Sequence, residues 1–128
     1  MDNTKNKNGL YWLLALIAVA TVISGLVQML KPAFILDIIS GEQSAANLHS
    51  FAIVGMFMLL FGGLMLHALF SHQHHPVAVF WSGLQKLGAF AAVGLGVMNG
   101  VFASIAWAVA LFDLASGILI LYYWHKIR

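Results

Sequence analysis

Four apolar stretches, Leu10 to Leu30, Leu48 to Phe70, Val77 to Met98 and Val101 to Trp124, take up most of this chain. Each has about 20 residues, the length an α-helix needs to cross roughly 30 Å of hydrocarbon. Inside a bilayer no water satisfies the backbone, so only helices and closed barrels can span it. None of the four stretches alternates apolar and polar residues with period two, which argues against a barrel. Composition points the same way: of 128 residues, 62% are hydrophobic and 8% are charged. A soluble domain carries about 25% charged residues, and a chain this short leaves too much of itself exposed to hide so much apolar surface. The expected fold is therefore all-α: an integral membrane four-helix bundle occupying residues 10–128 as one domain, behind a short tail at residues 1–9.

The joints between the stretches are legible. "AVA" at Ala18 to Ala20 looks like a signal-peptidase site, but the apolar run continues to Leu30, longer than the roughly 7–15 residues of a signal peptide, so a retained span is expected. Lys31-Pro32 ends the first helix, because a residue before proline avoids the helical region. Ala33 to Ile39 reads as a short interfacial helix stopped near Ser40-Gly41, and Ser44 or Asn47 is placed to cap the second span. "SHQHHP" connects spans two and three, and Asn99-Gly100 makes a tight turn between spans three and four. An up-down-up-down path then puts both termini and the histidine loop on one side. That side holds Lys5, Lys7, Lys126 and Arg128, against Lys31 beside Asp37 and Glu42 on the other. The excess of Lys and Arg makes the first side cytoplasmic. Tyr11, Trp12, Tyr122, Tyr123 and Trp124 are expected as an aromatic belt there, with Phe34 and Trp107 toward the opposite face.

Lys86 and Asp113 are the two Lys, Arg, Asp or Glu residues inside the spans. Lys86 lies 13 residues before Asn99 and Asp113 lies 13 after Gly100. A tight hairpin sets them level, close to the bilayer midplane. Each charge costs about 2.5–3.5 kcal/mol to place at a helix centre, and pairing offsets much of that. The pair reads either as a tether that fixes helix register, or as a proton relay or polar ligand site. Val79, Ser82, Gly83, Phe90, Val93 and Val97 share the face of Lys86, while Ala106, Ala110, Ser116, Gly117 and Ile120 share that of Asp113. A second stripe, Gly88, Ala92, Gly96 and Gly100, repeats every four residues, the spacing that lets helices approach closely in lipid. Gly55, Gly62 and Gly63 of span two are its expected partners, with a homodimer as the competing explanation.

Other chemistry is sparse. His67, His72, His74 and His75 gather near one end and form a weak candidate metal set, since neutral imidazoles bind zinc, copper or nickel. They show neither the HExxH pattern nor an i, i+4 pair. Cysteine is absent, which removes thiolate ligands and thiol nucleophiles. Ser24, Ser50, Ser82, Ser104 and Ser116 lie in or near the spans without a histidine base at matching depth, and Ser71 beside His72 in the loop is a weak signal. No phosphate-cradling loop is present, and the few cations form no nucleic-acid patch. No catalytic residue and no cofactor follow from the residues.

Pro32 after span one, Gly55 and Gly62-Gly63 in span two, Pro76 opening span three, "SGLQKLG" with Gly83, Lys86 and Gly88, and Asp113 in span four resemble the small four-helix bacterial inner-membrane proteins of the DoxX-like kind. The resemblance covers roughly Lys31 to Tyr123. Some related families place an arginine early in the second helix, where this chain has His49. The resemblance implies a four-helix bundle in the bacterial inner membrane and, through DoxX itself, an association with quinone-linked oxidoreductase complexes. The expected function is a non-enzymatic accessory subunit or small-ligand binder built around Lys86 and Asp113. The alternatives are a small proton-coupled transporter using that pair as relay, or a quinone- or metal-linked redox subunit. The expected partners are the lipid bilayer and either a second copy or another membrane subunit.

Overall fold

The structure, a computed structural model, describes residues 6–128. Lys5, one of the cations used for orientation, lies outside the described residues. Five helices follow in order: α1 Gly9–Leu30, α2 Pro32–Ile39, α3 Ala45–Phe70, α4 Pro76–Met98 and α5 Ala106–Ile127. All but α2 are long and apolar enough to cross a membrane. Their boundaries follow local chemistry. The Asn8 side chain accepts from the Tyr11 amide at the start of α1, and Ser44 accepts from the Asn47 amide at the start of α3, each satisfying an otherwise orphaned donor. Pro32 and Pro76 open α2 and α4, where a missing N–H costs nothing. Ser40 ends α2 in the left-handed region at φ 57°.

The long helices pack as two tight pairs. In the first, Ala18 of α1 faces Gly62 of α3, and Gly25 faces Gly55, so α1 and α3 run antiparallel. Side chains at these points would collide with main chain: a Cβ on Gly25 would lie 2.5 Å from the Leu59 nitrogen, and one on Gly55 would lie 2.6 Å from the Met29 nitrogen. In the second pair, Gly83 of α4 lies against Ile120 and Leu121 of α5, and Gly117 against Leu87.

Two apolar cores lie where the pairs meet. Near the histidine loop the core is Tyr11, Leu14, Ile17, Met65, Leu69, Val79, Ile120 and Tyr123. At the other end Leu36, Ile39 and Ala106 are packed by Leu48, Phe51 and Phe102. Two members of the expected aromatic belt therefore turn inward. Tyr11 is 1% exposed and its hydroxyl donates to the Leu69 carbonyl at 2.9 Å. Tyr123 is also buried, whereas Trp12 and Tyr122 face outward.

The joint between α4 and α5 differs from the tight turn expected at Asn99-Gly100. The helix does not restart at Val101: residues 99–105 form a longer connection, with Gly100 at φ +74°. The connection folds back along α4. The amides of Val101 and Phe102 both donate to the Gly96 carbonyl, and the Ala103 amide donates to the Ile39 carbonyl at 2.7 Å. Consequently α5 begins beside α4 rather than beyond it, with Trp107 against Gly94, and the level placement of Lys86 and Asp113 survives the extra residues.

Candidate functional site

Lys86 of α4 and Asp113 of α5 meet, with Nζ 3.3 Å from Oδ1. Both residues are buried, 6% and 7% exposed. Lys86 has two further neighbours. Its Nζ donates to Thr21 Oγ1 of α1 at 2.6 Å and lies 5.3 Å from the centre of the Phe112 ring. Thr21 in turn donates to the Ile17 carbonyl at 2.9 Å. The ammonium is thus held from three directions, which is what a buried charge needs to be tolerated. The α5 face inferred from spacing is correct throughout: Ala106, Ala110, Ser116, Gly117 and Ile120 are buried with Asp113. On α4, Val79, Ser82 and Gly83 are buried with Lys86, while Phe90, Val93 and Val97 are half-buried.

A cavity of about 180 Å³ adjoins the pair. It lies in the seam between the two helix pairs, beside the end core of Leu36, Ile39 and Ala106. Gln28, Gln85, Lys86 and Asp113 supply its polar wall, and residues such as Met58, Ala89, Val93 and Ala106 its apolar wall. Gln28 also bridges α1 and α3, its Nε2 donating to the Phe51 carbonyl at 3.0 Å. Val54 and Val109, both lining the cavity, are 50% and 48% exposed. On the histidine-loop side of Lys86 the space shrinks to about 10 Å³, bordered by Thr21, Ser82, Gln85 and Met65. That is room for about one water at most.

The predicted small-residue stripe does not meet α3. Gly55 and Gly62 are occupied by α1, and a Cβ on Gly63, Gly88 or Gly100 would meet nothing within 4 Å. Ala92 lines the cavity, and Gly96 seats the Phe102 ring, whose Cδ2 would lie 2.5 Å from an added Cβ. The physical reason is the pairing: α3 uses its glycines on its antiparallel neighbour α1, leaving only looser contact with α4. Gly25 is the partner that sequence spacing missed.

Thr21 and Gln28 were also missed. The signal was available: they follow Leu14 at heptad spacing in an uncharged span, and all three are buried. A Thr21→Val change, nearly isosteric, is expected to lower stability by about 1.5–3 kcal/mol, the range for a hydrogen bond to a charged group. Thermal unfolding of purified protein measures it; an unchanged midpoint would show that the Thr21 contact contributes nothing.

The histidines are brought together only in part. His67, His74 and His75 border one open groove beside Trp81, and Ser71 Oγ bonds His75 Nε2 at 2.8 Å. Among the described residues no three His, Asp or Glu side chains converge as a metal-ligand group. No protein-family model matches the chain, and comparison with the curated proteins and with the solved structures finds no match.

Proposed function

We propose that this membrane protein is a non-enzymatic binder of a small lipophilic ligand, held in the cavity beside Lys86 and Asp113. In this reading the four long helices pass up-down-up-down through a bacterial inner membrane, as in the DoxX-like proteins the sequence resembles. Both termini are cytoplasmic, as the cations Lys7, Lys126 and Arg128 against Lys31 favour. The observation that carries the proposal is the cavity itself: about 180 Å³ of space in the seam between the helix pairs, with an apolar wall and a few convergent polar groups. Small-molecule sites have that character. The half-exposed Val54 and Val109 at its wall suit entry from the lipid side.

The relay alternative needs a path from the pair to both faces of the membrane. On the histidine-loop side the space beside Lys86 narrows to about 10 Å³, and Leu14, Leu69 and Val79 beyond it are at most 1% exposed, which disfavours a continuous path for a proton. The accessory-subunit alternative leaves the cavity without a use.

Native mass spectrometry of protein released from its own membrane tests the reading. The parent is expected to carry a small bound adduct, and Ala89→Phe, which fills the cavity, to lose it while remaining folded. An adduct-free parent, or equal adducts on both proteins, would point instead to the accessory-subunit role.

A further inference from the structure

We infer that the ligand is an uncharged, single-ring-sized molecule bearing a hydrogen-bond donor, with a simple phenol as the type compound; this rests on the binding reading above. Three observations converge. The first is charge. Lys86 and Asp113 already neutralise each other at 3.3 Å, and no third charged side chain lines the cavity. An ionic ligand would lose its hydration there without gaining a free counter-ion, a cost of several kcal/mol per ion.

The second is hydrogen-bonding capacity. The Lys86 ammonium is engaged by Thr21 and Asp113 and faces the Phe112 ring. Asp113 accepts through Oδ1, while Oδ2 accepts nothing from the described residues. Gln28 donates through Nε2, and its Oε1 likewise accepts nothing from them. No fully buried side-chain oxygen or nitrogen among the described residues lacks a partner, so these two oxygens retain accessible surface. The cavity is open space that both residues border. Gln85, the remaining polar side chain of the wall, can both donate and accept. The wall therefore offers unused acceptors, one of them on a carboxylate, and a hydroxyl matches it by donating to these and accepting from Gln85. Hydrogen bonds to a charged group are the stronger kind.

The third is size. A dry apolar cavity of about 150 Å³ holds a benzene molecule, and this one measures about 180 Å³. A six-membered ring with one hydroxyl fits the space and the wall together. The lateral exposure of Val54 and Val109 admits a molecule that partitions into lipid, which a neutral phenol does and a carboxylate does not.

Four probes of nearly equal size separate these claims without altering the chain. Para-fluorophenol, para-fluoroanisole, para-fluorotoluene and para-fluorobenzoate are titrated into the full-length protein in nanodiscs. Fluorine NMR reads saturable binding, with empty nanodiscs subtracted. The phenol is expected to bind saturably and at least about 10-fold more tightly than the anisole or toluene, the factor that one charge-assisted hydrogen bond supplies. The benzoate is expected to show no saturable binding. Equal affinity of the phenol and toluene would overturn the donor requirement, and tightest binding of the benzoate would overturn neutrality; either result leaves the cavity a binding site. Saturable binding by none of the four would overturn both this inference and the reading on which it rests.

Discussion

Lys86→Met alone, or Asp113→Leu alone, is expected to destabilise the protein by about 3–5 kcal/mol, and the double variant to recover most of that loss. Each single change leaves one charge among apolar side chains deep in the bundle, the situation in which breaking a buried pair costs most. The double change removes both charges and substitutes side chains of similar volume, so neither desolvation nor a cavity remains. The lone aspartate and the lone lysine are not equivalent. Lys86 keeps Thr21 Oγ1 at 2.6 Å and the Phe112 ring, whereas Asp113 has no partner from the described residues once Lys86 is gone. Lys86→Met is therefore the more harmful single change. Thermal unfolding followed by circular dichroism, together with the monodisperse fraction in detergent, gives the four values of the cycle. A double variant as unstable as the worse single would show that the two side chains do not act as a pair. Under the proposed function the double variant also separates roles: it folds, yet loses the carboxylate of the polar wall and binds the ligand more weakly.

Gly55→Leu is expected to break the α1–α3 pair, whereas Gly88→Ala leaves the protein within about 0.5 kcal/mol of the parent, as for a surface change away from special features. The contrast comes from what each position meets. A Cβ on Gly55 would come within 2.6–2.9 Å of main-chain atoms of Gly25, Gln28 and Met29. Main chain cannot swing aside as a flexible side chain does, so the helices must separate along their length. Overpacking typically costs about 1–3 kcal/mol, and Gly55→Leu is expected at or above the upper end. Gly25→Leu, against the Leu59 nitrogen and the Gly55 oxygen, is expected to match it. Separation of α1 from α3 also pulls Gln28 from the Phe51 carbonyl and disturbs the cavity wall. The yield of monodisperse protein and its unfolding midpoint are the measurements. A Gly88→Ala variant as damaged as Gly55→Leu would return the packing role to the α4 stripe.

Much of the architecture could be read from the residues because lipid imposes few rules and imposes them strictly. The ends of α1, α3 and α4 follow from Pro32, Pro76 and the caps to within three residues of the apolar stretches. The pairing of Lys86 with Asp113 follows from their isolation as charges in apolar runs. Two things were not legible. Which glycines meet depends on which helices are neighbours, and small-residue spacing on α4 looked as suitable as that on α3. At residues 99–105 "NG" is a strong signal for a two-residue turn, and the apolar Val101 and Phe102 resemble the start of the next helix. Phe102 is instead apolar because it covers Gly96 and packs with Leu36 and Ile39. The cavity itself was invisible, since an empty space is a property of the assembled walls and no residue encodes it alone.

The two tight pairs have a further consequence for how the chain reaches its fold. α1 joins α3 through the short α2 segment, and α4 joins α5 through residues 99–105, so each close crossing is made between helices that are neighbours along the chain. Closing such short loops sacrifices little chain entropy, and the mean sequence separation of contacts stays low, the condition under which helical proteins assemble fastest.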